Sequence, residues 1–169
     1  LYPMVKAGQY NKLKVVRKAD FGFYLDDGAE GILLPNRFVP KNLNIGDEIE
    51  VLVYHDSEDR LIATTQKPLG IVGDIVKLKT VSTTPQGAFL DWGLMKDLFV
   101  AKSQQLTGMR TQGEYLVKIY RDEKTGRVAA SEKFDSSLSN DQLTVKVLDE
   151  VDLIVYRRTN IGYVVIINN

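Results

Sequence analysis

Two glycines in this chain recur at one spacing, each time inside an aromatic-rich stretch. Gly22 and Gly28 sit in Asp20-Phe21-Gly22-Phe23-Tyr24-Leu25-Asp26-Asp27-Gly28. They return 65 residues later as Gly87 and Gly93 in Pro85-Gln86-Gly87-Ala88-Phe89-Leu90-Asp91-Trp92-Gly93. A weaker third copy runs Asn160-Ile161-Gly162-Tyr163-Val164-Val165-Ile166-Ile167. An internal repeat sets the architecture before any single element is assigned. Glycine weakens a strand interior unless the backbone needs it there, at a bulge, a barrel corner or a close approach. With aromatics beside it, such a glycine marks the kink by which small barrels close.

The order of elements around each copy supports that reading. Leu13 to Arg17 is a β-rich run, and Glu30 to Pro35 is an apolar strand stopped by proline. Asn36 to Asn44 is a loop with room for one helical turn. Ile49 to Tyr54 alternates as a half-buried strand, His55 to Arg60 is a polar hairpin tip, and Leu61 to Thr65 returns. Five strands in such a span, with frequent turn signals, predict an all-β barrel. The same order restarts after Lys67-Pro68, with strands over Ile75 to Thr80, Gly87 to Asp91, Asp97 to Ala101, Tyr115 to Tyr120 and Val128 to Ser131. Gly46-Asp47 is echoed by Gly113-Glu114, and Tyr54 by Tyr120, at offsets of 67 and 66. A whole small domain is therefore duplicated, and two five-stranded antiparallel barrels are predicted.

Residues 135–149 form a polar, serine-rich linker, after which Val151 to Tyr156 and Gly162 to Ile167 repeat the first two strands of the unit. The expected domains are 4–68, 69–134, the linker 135–149, and a truncated third unit at 150–169. A lone apolar hairpin is marginal in water and exposes pairing edges. Docking of this tail on its own chain, or tail-mediated self-association, is therefore expected.

Composition excludes several classes of function. The 169 residues carry 22 basic and 22 acidic side chains, so no global basic field exists. Residues 4–68 hold 9 basic and 10 acidic groups, a net of −1, whereas residues 69–134 hold 10 and 7, a net of +3. With no cysteine, disulfides and thiolate metal sites are absent, which is compatible with a cytoplasmic location. Neither a transmembrane run of about 18 apolar residues nor a signal peptide is visible, so no membrane role is expected. The lone histidine, His55, adjoins Asp56 at a hairpin tip and reads as a solvated turn residue. No nucleophile motif accompanies it, so neither catalysis nor a metal or other cofactor is expected.

The repeated unit resembles the RNA-binding repeat of ribosomal protein S1, a barrel of the OB fold. The first copy supplies Phe21-Gly22-Phe23-Tyr24, Gly31 to Asn36, Gly46-Asp47, Asp56 and Arg60 of that pattern. The second supplies Gln86-Gly87-Ala88-Phe89, Gly113-Glu114, Asp122, Arg127 and Ser131-Glu132-Lys133. The pattern departs from the family at Leu34 and Val100, where a histidine is common, and at Gln86 and Ile161, where the first aromatic is replaced. Three tandem units, the third opening Asp152 to Tyr163, are similar to the conserved virulence factor B (CvfB) family. That likeness implies a bacterial RNA-binding regulator of gene expression and virulence. It also implies a missing C-terminal part, the rest of the third barrel and a winged helix.

The resemblance implies single-stranded RNA as the partner. Such RNA is held by aromatics that stack on bases beside cations that follow phosphates. Phe21, Tyr24 and Arg60 are the candidates in the first unit, Phe89 and Arg127 in the second. Periodicity alone also allows Phe21, Phe23 and Tyr24 to be core residues and Arg60 a solvated turn charge. Trp92 follows an acidic turn, where packing against the neighbouring barrel competes with base stacking. A protein-interaction or spacer scaffold, with barrels that have lost RNA binding, is the competing function.

Overall fold

The computed structural model describes residues 4–134, together with the strands Leu153–Thr159 and Gly162–Ile167. Barrel one is built from β1 (Tyr10–Ala19), β2 (Gly22–Leu25), β3 (Ile32–Pro35), β4 (Glu48–His55) and β5 (Leu61–Thr64). Barrel two follows as β6 (Ile75–Thr84), β7 (Gly87–Asp91), β8 (Leu98–Ala101), β9 (Glu114–Arg121) and β10 (Val128–Ser131). Both sheets are closed, in the orders β1-β2-β3-β5-β4 and β6-β7-β8-β10-β9. A single 3-10 turn follows the third strand of each unit, at Asn36–Phe38 and Lys102–Gln104.

The barrels are not wholly antiparallel, which corrects the expectation. β3 runs parallel to β5 through Leu33 and Ile62, and β8 parallel to β10 through Phe99 and Ala129. The reason is topological: alternating directions close a ring only for an even number of strands. Five strands require at least one parallel neighbour.

The repeated glycines are explained by close backbone approach. A Cβ on Gly22 would lie 2.0 Å from the carbonyl oxygen of Leu34, and one on Gly87 2.3 Å from that of Val100. Backbone atoms cannot swing aside as a side chain can, so glycine is required where β2 meets β3 and β7 meets β8. Each first strand also carries a bulge, between Val15 and Arg17 and between Thr80 and Ser82. Bulges add twist and bend to a strand pair, which helps so small a barrel to close.

The third copy repeats this register. β11 (Leu153–Thr159) and β12 (Gly162–Ile167) pair Thr159 with Gly162 and Arg157 with Val164, with a shift between Val155 and Arg157. In β1 and β2 the matching pairs are Ala19 with Gly22 and Arg17 with Tyr24. In β6 and β7 they are Thr84 with Gly87 and Ser82 with Phe89. The linker expected at 135–149 and the expected docking or self-association of the tail fall outside the described residues.

The first core gathers Leu13, Val15, Leu25, Leu34, Val51 and Val53. The second gathers Leu78, Leu90, Leu98, Val117 and Ile119. Each such side chain stabilises its barrel by about 1.5–3 kcal/mol relative to exposure. The alternation read in β4 breaks down, because Val51, Leu52, Val53 and Tyr54 are all buried. Val51 and Val53 face the first core, whereas Leu52 and Tyr54 join the hydrophobic cluster of the second barrel. A strand buried on both faces reads as a continuous apolar run. The two barrels thus share a packed interface. It is reinforced by a backbone bond from Val72 N–H to the Gly8 carbonyl at 2.9 Å, while Gly8 N–H is itself anchored on Val53 of barrel one at 2.7 Å. Arg121 Nε donates to the Ala7 carbonyl at 2.9 Å across the same seam.

Candidate nucleic-acid interface

Side chains alternate across a closed sheet, so residues in register form rows on its outer surface. In barrel one the pairs Arg17–Tyr24, Tyr24–Leu33, Leu33–Ile62 and Ile62–Tyr54 define one such row. In barrel two the equivalent row is Ser82–Phe89, Phe89–Phe99, Phe99–Ala129 and Ala129–Tyr120. Both rows place aromatic groups on the face that a strand could cross.

The first row opens into a groove of about 690 Å³. Tyr24 and Arg60 both line it, as do Leu33 and Ile62. Tyr24 is half-buried and carries the Arg17 guanidinium over its ring, 3.6 Å from the centroid. A planar cation stacked on an aromatic is a strong polar–apolar surface for a base. Arg17 is a groove-lining residue that the sequence pattern did not single out. Its signal was the register of β1 against β2, which the bulge at Val16 shifts by one position.

Phe21 is placed elsewhere. It projects from the β1–β2 turn, 79% exposed, and lines neither this groove nor the second cleft. Phe23 is a core residue. The three aromatics of the repeat thus split into one exposed tip, one core residue and one groove wall.

Arg60 is held by its own hairpin. Its guanidinium lies 3.2 Å from Asp56 and 2.8 Å from Glu58. Burial opposes the charge on Asp56, but the amides of Arg60 and Glu58 and the Arg60 guanidinium outweigh it. The carboxyl is therefore kept below its usual range. Asp27 and Glu30 also line the groove, so its field is mixed rather than uniformly basic.

The second row lies in a cleft of about 420 Å³ between the two barrels. Phe89 packs on Phe99 with ring centres 5.1 Å apart. Tyr120 also lines the cleft, and burial raises its phenol pKa. Arg127 lies at the rim and forms a two-pronged ion pair with Asp59 of barrel one, at 2.8 and 2.7 Å. The hydrogen bonds from Arg127 hold the Asp59 carboxyl below its usual range. Lys96 also lines the cleft, and its Nζ donates to the Asp56 carbonyl at 3.0 Å.

Trp92 is an interface residue. Its ring meets Tyr54 edge-on at 6.4 Å, and its Nε1 donates to the Lys96 carbonyl at 2.7 Å. Among the described residues no group of three or more His, Cys, Asp or Glu is placed to hold a metal ion. None of the described helices is long and apolar enough to cross a membrane.

Residues 7–66 match the family model of the S1 domain, which spans the strands of barrel one. Barrel two repeats that topology strand for strand. The uncharacterized protein YitL of Bacillus subtilis (strain 168) is 35% identical over 98 residues, which cover 57% of this chain and 33% of that protein. The chain therefore spans about a third of the length of this curated relative. It also superposes on the crystal structure of a multidomain protein with nucleic acid binding domains from Streptococcus pneumoniae, with a TM-score of 0.67. That match covers 95% of this chain and 59% of the other at 16% identity, and establishes likeness of fold.

Proposed function

We propose that this chain is an RNA-binding module of a bacterial post-transcriptional regulator resembling the CvfB family, and that it holds single-stranded RNA along the outer barrel rows. The observation that carries the reading is the Tyr24–Arg17 stack beside Arg60 in one open groove, on a barrel that matches the S1 domain. Bases stack on Tyr24 and on the Phe89–Phe99 pair, and phosphates follow Arg17, Arg60, Lys96 and Arg127. Phe21, standing free at the hairpin tip, extends the stacking path beyond the groove. Residues 4–68 and 69–134 are the two binding units, and β11 with β12 opens a third. The nucleic-acid-binding domains named for the pneumococcal structure support the same class of partner. The working compartment is the cytoplasm.

A second reading is favoured by one specific observation. Arg60 and Arg127 are both engaged by carboxylates, which leaves less free positive charge for phosphate. On that reading the barrels dock or space other proteins. A titration with short single-stranded RNA across a salt series separates the two. RNA binding gives an affinity that falls linearly on a logarithmic salt axis. Phe21→Ala combined with Tyr24→Ala weakens it while the thermal transition survives. An affinity indifferent to both salt and these aromatics leaves the scaffold.

A further inference from the structure

The two outer rows are equivalent by register, but the loops beside them carry opposite charge. Tyr24 pairs with Leu33 and Phe89 with Phe99. Glu30, three positions before Leu33, therefore corresponds to Lys96, three positions before Phe99. Lys96 is tied to barrel one, its Nζ on the Asp56 carbonyl at 3.0 Å. Glu30 lines the open groove of barrel one, on the loop that joins β2 to β3.

Three carboxylates line that groove, and they are not equivalent. Asp56 accepts the amides of Glu58 and Arg60 and the Arg60 guanidinium. Asp27 Oδ1 accepts the amides of Ala29 and Gly31, both at 2.9 Å. Glu30 is exposed and engages no hydrogen bond or ion pair among the described residues. It also stands beside the stacking platform. A Cβ built on Gly31 would lie 3.4 Å from Tyr24 Cβ and 3.5 Å from Tyr24 Cδ1. The Glu30–Gly31 loop thus packs against the side chain that carries Arg17 over its ring.

A free carboxylate next to this platform repels phosphate, so it lowers affinity unless it contacts a base. The platform itself does not choose among bases, since each has a π-face. Choice comes from hydrogen bonds to base edges, and single-stranded RNA presents its Watson–Crick edges. A carboxylate offers two acceptor oxygens and no donor. Guanine alone places two donors side by side on that edge, N1–H and the N2 amino group. Cytosine and adenine set one amino group beside a ring-nitrogen acceptor. Uracil sets a single N3–H between two carbonyls.

We infer that the barrel-one groove selects guanine, with the base on the Tyr24–Arg17 stack and its N1–H and N2 amino group donating to the two oxygens of Glu30. The selection rests on the RNA-binding reading above and adds base choice to it. Barrel two, with Lys96 at the matching position, lacks this reader.

The test uses the full chain and four labelled ten-nucleotide RNAs. One is a run of uridines, and in the others one central uridine is replaced by guanosine, adenosine or cytidine. The guanosine strand should bind roughly tenfold more tightly than the rest, the scale of one two-pronged contact to a base. Glu30→Gln, which puts a donor amide where one oxygen stood, should remove that preference without weakening the uridine strand. An unchanged melting temperature shows that the variant is folded. Glu123→Gln removes the same charge from the exposed β9–β10 tip and should leave the preference intact. Equal binding of all four strands, or a guanosine preference that survives Glu30→Gln, overturns the guanine reader and leaves the outer-row reading standing. Loss of the preference in Glu123→Gln as well makes it an effect of net charge and also overturns the reader. Failure of every strand to bind overturns both.

Discussion

Arg127 of barrel two and Asp59 of barrel one form a bidentate ion pair, with Nε donating to Oδ1 at 2.8 Å and Nη2 to Oδ2 at 2.7 Å. The two residues occupy hairpin tips of different barrels, 68 positions apart in sequence. Planar guanidinium and carboxylate groups meet best in this two-pronged geometry. The pair also occupies the cation that a phosphate in the cleft would use.

Asp59→Asn should therefore raise RNA affinity rather than lower it. Freeing Arg127 adds one phosphate contact, which steepens the salt dependence by about one counterion. Binding isotherms at several salt concentrations read both quantities. A weaker affinity with an unchanged slope would mean that the pair orients the barrels and does not withhold a cation.

The single histidine gives stability a pH dependence near neutrality. Burial is the leading cause that lowers the pKa of His55. The unfolded chain takes up its proton near pH 6.5, whereas the folded chain resists until lower pH. Between those values the unfolded state binds more protons, so stability falls as pH falls. Calorimetric melting temperatures from about pH 7.5 to 5 should decline, and His55→Asn should flatten that decline. The carboxyls of Asp56, Asp59 and Asp122 are depressed and act in a separate window. Their contribution is present above about pH 3.9 and is lost as pH drops through their folded values.

Gly22→Ala and Gly87→Ala should each destabilise by about 1–3 kcal/mol or more, since a Cβ meets a backbone carbonyl that cannot move away. Urea unfolding should show a lower midpoint with little change in slope. A substitution that leaves the midpoint unmoved would mean that the strands can separate locally, and that the repeated glycine has another cause.

Trp92→Ala should uncouple the barrels. The indole is 2% exposed and joins Tyr54 to the second core, so its loss costs about 3–5 kcal/mol at the seam. Calorimetry of the unaltered protein is expected to give one transition and that of the variant two. A single, merely lowered transition would place the coupling in the Gly8 and Arg121 bonds instead.

Much of the architecture was legible because it rests on local, periodic chemistry. The 65-residue recurrence of Gly22 and Gly28 announced a duplicated barrel, and the strands of both units followed from apolar alternation and turn residues. The groove-lining placement of Tyr24 and Arg60 was within reach for the same reason, since strand register and hairpin tips are short-range features. Other facts depended on partners far apart in sequence. The burial of Leu52 and Tyr54 on the outer face of β4 exists only because a second barrel covers it. The engagement of Arg127 by Asp59, the His55 wall of the cleft and the stack of Arg17 on Tyr24 come from packing and from a bulge, neither of which has a period. The sequence determined that two small barrels form and which strands build them. The tertiary structure alone decided how the barrels meet, because an interface between folded units depends on surface shape and charge that no local pattern encodes.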